Sequence, residues 1–183
     1  MRLFTGLAIP PHIIGALDDT LHELRAAVPL GWSPLENLHI TSKVIGEWPA
    51  SRLPELQNAL AILDPPGEFE VTLGRFGFLP NPRKPKIFFA GVHGEAGLTA
   101  LAERTDAALS ELGVMHEERP YTPHLTLARI NREPLGGLRE RIAAMLPETL
   151  EFGSFAVREF HLYSSHASTY SQLASYPLQK AAS

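Results

Sequence analysis

A mixed fold of helices and strands, built as two similar halves, is what this sequence predicts. Three observations carry it. Short β-forming runs are interleaved with stretches of helical period. The same succession occurs twice. A His-x-Thr pair also recurs 85 residues on, His39-Ile40-Thr41 and then His124-Leu125-Thr126. Strands mixed with helices in this order point to α+β or α/β and away from a sandwich. The 183 residues suffice for a real core, in one domain or two small lobes.

Taken in order, Arg2 to Ile9 and Lys86 to Val92 are short apolar runs opened by a base, and each predicts a strand. Phe4 and Phe88 correspond at an offset of 84. Helical spacing follows both. Ile13, Leu17, Leu21, Leu24 and Val28 recur after Pro10-Pro11, which suits a helix start. Leu98, Leu101, Thr105, Leu109 and Leu112 recur before Gly113, which suits a stop. Strands are predicted next at Leu38 to Ile45 and His124 to Ile130, then helices at Leu53 to Leu63 and Leu135 to Leu146. Pro54 and Pro134 stand near the starts of those helices. Further strands are expected at Phe69 to Phe78 and Phe152 to Tyr163. The Pro-rich run Leu79 to Pro85 is expected to connect the lobes, roughly residues 1–80 and 86–183 of a single domain, a division compatible with a strand exchanged between them.

Composition narrows the function. With 44% hydrophobic and 20% charged residues, the chain is neither a disordered tail nor a membrane protein. The absence of cysteine removes thiolate nucleophiles, disulfides and thiolate-ligated zinc. It leans towards the cytoplasm, as does an opening apolar run too short for a secretion signal. A net charge of −4 excludes a basic overall surface but not a local basic patch. Such a patch is expected between Val71 and Gly94, which holds Arg75, Arg83, Lys84 and Lys86 and no acid.

In a strand, residues i and i+2 share a face. Each histidine therefore projects beside its own threonine, while Ile40 and Leu125 point to a core. Related by a pseudo-two-fold axis, the pairs can face each other across one cleft. Two imidazoles on opposite sides of a phosphodiester can act as general base and general acid, because histidine exchanges a proton near neutrality. Two threonine hydroxyls can donate to the non-bridging oxygens, where charge builds up in the transition state.

The segments Asn37-Leu38-His39-Ile40-Thr41 and Tyr121-Thr122-Pro123-His124-Leu125-Thr126-Leu127-Ala128-Arg129 resemble the signatures of the 2H phosphoesterases. The likeness is to the RNA 2′,3′-cyclic phosphodiesterases, also called 2′-5′ RNA ligases. It extends to Arg2-Leu3-Phe4, Lys43 to Glu47, Leu73 to Pro80 and Leu162 to Ser165. The resemblance implies a two-lobed α+β fold, with antiparallel sheets and flanking helices around a central cleft. It implies hydrolysis of a terminal 2′,3′-cyclic phosphate to a 2′-phosphomonoester without a cofactor or metal. His39 would donate the proton, His124 would accept it, and Thr41 and Thr126 would hold the phosphate. Ser42 departs from the bulky apolar residue usual in relatives, a change expected to loosen the core.

Two further cations are candidates for substrate contact. Lys43 falls on the face of His39 and Thr41 by alternation. Arg129 falls on the other face, unless a bulge or strand end brings it back. Arg119, just before Pro120, is a candidate for loop support or RNA contact. Trp32, Phe76, Phe78 and Tyr121 are candidates to stack on a base. The remaining six histidines form no recognised metal spacing, and neither a P-loop nor a Gly-x-Ser-x-Gly elbow is present. Alternative readings are an ATP-independent 2′-5′ joining reaction, a phosphodiesterase for small cyclic nucleotides, and an RNA-end-binding module without turnover. The expected partner is an RNA end, with no membrane and a monomeric protein.

Overall fold

In a computed structural model, which describes residues 1–131, 136–147 and 149–180, the chain forms one curled antiparallel sheet with four helices among the described residues. In chain order these are β1 (Arg2–Ala8), α1 (Pro11–Ala27), β2 (Gly31–Trp32), β3 (His39–Glu47), α2 (Leu53–Ala61), β4 (Phe69–Leu79), β5 (Ile87–His93), α3 (Glu95–Ser110), β6 (His124–Arg129), α4 (Leu138–Met145), β7 (Glu151–Val157), β8 (Glu159–His166) and β9 (Thr169–Pro177). The expected start of the last helix, with Pro134 and Leu135, lies outside the described residues. No described helix is long and apolar enough to cross a membrane.

The strands run β7-β4-β5-β6-β3-β1-β8-β9, with β2 beside β6. The two motif strands are thus central neighbours, and they meet antiparallel at Ile40 and Leu125. Strand order in the sheet departs from chain order. β4, from the first half, lies between β5 and β7, while β8 and β9, from the second, extend the sheet beyond β1. The run after Leu79 is consequently a hairpin turn rather than a link between lobes, since Leu79 pairs with Ile87. Antiparallel strands joined by a short turn pair with each other most directly, and nothing in the repeat pattern could reveal that.

The core lies on the side to which Ile40 and Leu125 point, both fully buried. α1 packs against β7, α3 against β3, and α2 against α3. The buried Ile13, Leu17, Leu21 and Leu24 of α1 are the stripe that the sequence spacing predicts. Pro11 opens that helix, where its missing N–H has no intrahelical acceptor to lose. Gly113 has φ +92 just beyond α3, a left-handed stop that residues with a Cβ seldom adopt.

Both motif strands carry a β-bulge, and these two irregularities shape the site. Against β1, Thr41 pairs with Gly6 and Lys43 with Thr5, so Ser42 is the extra residue. Against β5, Thr126 pairs with Phe89 and Ala128 with Phe88, so Leu127 is the extra residue. Two consecutive side chains are buried at each bulge: Ser42 and Lys43 in β3, Leu127 and Ala128 in β6. In β6 alternation then resumes one residue out of step, and in β3 a second register shift follows at Ile45. The bulge in β3 leaves Val44 60% exposed, at the position that Arg129 occupies in β6 by the 85-residue offset. Ser42 does not loosen the interior, because its hydroxyl lies 2.8 Å from that of the fully buried Thr5, a satisfied polar pair. Close approach at this bulge also requires Gly6, where a Cβ would sit 2.6 Å from the Ile40 carbonyl oxygen.

Candidate active site

His39 and His124 stand at the first positions of β3 and β6, half-buried, on the face opposite Ile40 and Leu125. Continuing the antiparallel register of Ile40 and Leu125 sets His39 across from Thr126 and His124 across from Thr41. The structure therefore brings together the four side chains that the sequence singles out.

The two imidazoles are held alike. His39 Nδ1 lies 2.7 Å from the Asn37 carbonyl oxygen, and His124 Nδ1 lies 2.9 Å from that of Thr122. In both cases the acceptor is the residue two positions back. A carbonyl can only accept, so Nδ1 carries the proton in each ring and donates it. The other nitrogen, Nε2, is left as the acid–base atom. His39 Nε2 lies 3.0 Å from Thr41 Oγ1, so imidazole and hydroxyl form a pair within one strand.

The ring environments differ. Phe4, Tyr163 and Tyr170 surround His39, with ring centroids 4.6, 6.1 and 5.1 Å away. His124 meets Phe89 edge-on at 5.8 Å. Burial pulls the His39 pKa below the ordinary value, against the hydrogen bond that the ring donates to the Asn37 carbonyl, and the charges of Arg129 and His124 act in the same direction as burial. Burial likewise pushes the Tyr163 hydroxyl up to about 12, so it remains a neutral donor.

Longer-range contacts fix the supports of both rings. The Asn37 side chain donates to the Ser168 carbonyl at 2.7 Å, in the turn between β8 and β9. The half-buried Tyr121 donates its hydroxyl to the Thr41 carbonyl at 2.7 Å and so ties the approach to β6 onto β3.

The remaining candidates divide. The bulge in β6 returns Arg129 to the face of His124 and Thr126, exposed and close enough for its charge to act on His39. The bulge in β3 does the opposite for Lys43, which corrects its expected place beside His39 and Thr41. Lys43 is 6% exposed and directs Nζ at Asp106 of α3, 2.5 Å away, and at the Met115 carbonyl, 2.7 Å away. It has no free face for substrate. Three of the proposed stacking aromatics are also corrected. Trp32, Phe76 and Phe78 pack around the fully buried Phe88, with centroids 6.0, 5.5 and 5.4 Å away. The residue equivalent to Phe4 is thus Phe89, at the same 85-residue offset as the histidines, and not Phe88. Arg83 and Lys84 are exposed in the turn after β4, where the Asn81 side chain accepts both of their backbone N–H groups.

Sequence reasoning missed Tyr163, Tyr170 and the whole of β9. Their signal was faint: the polar alternation of β9 on an edge strand resembles a loop. It also missed Asn37, Thr122 and Asp106, whose roles rest on a carbonyl or on a contact distant in sequence.

The sequence model of the family described as the 2′-5′ RNA ligase superfamily matches residues 10–169. The chain belongs to that superfamily. A Thermus thermophilus protein named RNA 2′,3′-cyclic phosphodiesterase is 34% identical over 140 residues, covering 70% of this chain and 68% of its relative. An Archaeoglobus fulgidus protein of the same name is 29% identical over 168 residues, covering 90% and 91%. Among solved structures, one of a protein from Thermus thermophilus matches with a TM-score of 0.78 at 26% identity, covering 98% of this chain and 99% of that one. One of E. coli LigT complexed with NADP+ matches with a TM-score of 0.74 at 25% identity, covering 97% of each. The chain is therefore an enzyme of a 2H phosphoesterase family with the α+β fold that the resemblance implies.

Proposed function

We propose that this member of the superfamily opens 2′,3′-cyclic phosphate ends of RNA to 2′-phosphomonoesters, using two histidines and no metal. The observation that carries this reading is the matched pair of imidazoles, each with Nδ1 engaged by a carbonyl and Nε2 left for proton transfer. The names of the relatives support the substrate class.

In this mechanism His124 Nε2 takes a proton from water as its oxygen attacks phosphorus. The bond from phosphorus to O3′ breaks on the opposite side, and His39 Nε2 gives its proton to the departing oxygen. Thr41 and Thr126 donate to the non-bridging oxygens, and Arg129 balances their charge. Among the described residues no group of three or more His, Asp or Glu is placed to hold a metal. The chain acts as a monomeric unit of two pseudo-symmetric lobes. The central place of β3 and β6 in one sheet supports that, since both halves of the site come from one chain.

The test is incubation with an RNA oligonucleotide ending in a 2′,3′-cyclic phosphate, with a chelator present. The expected product is the 2′-phosphate. Turnover of a small cyclic nucleotide with no reaction on the oligonucleotide would overturn the substrate class. Loss of activity on chelation would overturn the metal-free route. The description of the family supports a second reading, in which a ribose hydroxyl replaces water. A longer RNA with a 2′-5′ linkage in the same assay would establish it.

The proton roles make a prediction about pH. His39 must be protonated to act as the acid, and its pKa is lowered by burial and by Arg129. The alkaline limb of the kcat/KM profile should therefore fall below the ordinary histidine range. Arg129→Gln should move that limb to higher pH, because removing a cation favours the imidazolium. The limits belong to the coupled pair, so the observable is the direction of movement. Movement of the acid limb instead would reverse the two roles, and movement of neither would separate Arg129 from His39.

A further inference from the structure

The mechanism leaves unused a buried ionic cluster behind the site. Asp106 of α3 is 7% exposed and accepts from three directions. Lys43 Nζ lies 2.5 Å from Oδ1, the Glu117 backbone N–H donates to the same oxygen at 3.1 Å, and His116 Nδ1 lies 2.5 Å from Oδ2. Lys43 donates in addition to the Met115 carbonyl at 2.7 Å. One carboxylate thus grips two separate pieces of chain. The first is the β3 bulge, immediately after His39 and Thr41. The second is the segment Met115 to Glu117, which leads to Tyr121, Thr122 and His124.

Both pieces carry supports of the site. Tyr121 donates to the Thr41 carbonyl, and the Thr122 carbonyl takes the Nδ1 proton of His124. The corresponding bulge in β6 needs no such device, because it buries Leu127 and Ala128. Regular alternation of β3 would aim Lys43 into the site and turn Val44 into the core. The buried ion pair opposes that register, since it would leave Asp106 without its cation.

We propose that Asp106 is a positioning residue that sets the placement of one His-x-Thr pair relative to the other, by holding the bulge of β3 and the lead-in to β6 on a single carboxylate. This rests on the proposed function, in which the two pairs work on one phosphate.

The test separates positioning from plain stability. Apolar replacement of a buried ion pair is often neutral or stabilising, whereas removal of one partner is costly. The variant Lys43→Met/Asp106→Leu should therefore fold and melt like the wild type. The Met115 to Glu117 segment would still lose its acceptor, so kcat on a cyclic-phosphate RNA end should fall tenfold or more, with KM changed less than threefold. Wild-type kcat in that folded variant would overturn the proposal. Tyr121→Phe, which deletes only the hydroxyl on the Thr41 carbonyl, decides the matter if the double variant does not fold. A fivefold or greater loss of kcat at unchanged melting temperature supports coupling of the two motifs, and native turnover overturns it. Inactivity of the wild type on RNA ends would instead refute the proposed function, a result distinct from either.

Discussion

Replacement of His124 by alanine is expected to lower the chemical step by roughly 10²-fold or more, the scale of losing a general base, and His39→Ala should do the same as loss of the acid. The physical reason is in the ring placement. Each Nδ1 is committed to a carbonyl, so each ring presents one nitrogen to the reaction. Single-turnover rates with the cyclic end measure the effect directly. A phosphodiester with a nitrophenolate leaving group tells the two variants apart, because that group departs without a proton. On it His39→Ala should regain most of its rate, while His124→Ala should stay slow. Wild-type turnover by either variant on the cyclic end would remove that histidine from the mechanism.

The second large effect is on stability. Lys43→Ala should cost about 3–5 kcal/mol, because it leaves the Asp106 carboxylate buried without its ammonium partner. In a chain of this size that corresponds to a fall in melting temperature of roughly 6–20 °C. Surface ion pairs contribute far less. Glu55, exposed and paired with Arg52, makes a suitable contrast, and Glu55→Ala should shift the melting temperature far less than Lys43→Ala. The pH dependence has a definite sign. Burial raises the Asp106 carboxyl, but Lys43, the Glu117 N–H and His116 outweigh it and hold the group below its usual range. A carboxyl depressed in the folded state stabilises above its unfolded value and loses that contribution as pH falls through the folded one. The gap between wild type and Lys43→Ala should therefore narrow on acidification. Denaturant titration at several pH values checks both statements, and a cost under about 1 kcal/mol at neutral pH would mean that water reaches the pair.

Much of the site was legible in the residue order alone. Two His-x-Thr pairs at one offset in a repeated pattern are a local signal, because strand alternation alone places each histidine beside its threonine. The helices of the core were legible for the same reason. Ile13, Leu17, Leu21 and Leu24 write their buried face directly into the residue order. What alternation could not supply was the face of a residue past a bulge. Strict alternation sets Lys43 on the face of His39 and Thr41 and turns Arg129 away unless a bulge or strand end brings it back, and each bulge exchanges the face. The Phe4–Phe88 correspondence was one residue off, since apolar runs align almost as well either way. Phe89 is identified by its contact with His124.

The sequence by itself thus determined the two His-x-Thr motifs and the helix–strand succession, because both are short-range patterns. Only the tertiary structure decided that β4 leaves its own half, that Lys43 belongs to Asp106, and that Tyr163 and Tyr170 enclose His39. Those outcomes depend on which strands pair and where one extra residue is inserted. Such choices are settled by burying charge beside opposite charge and by closing distant backbone onto the same sheet.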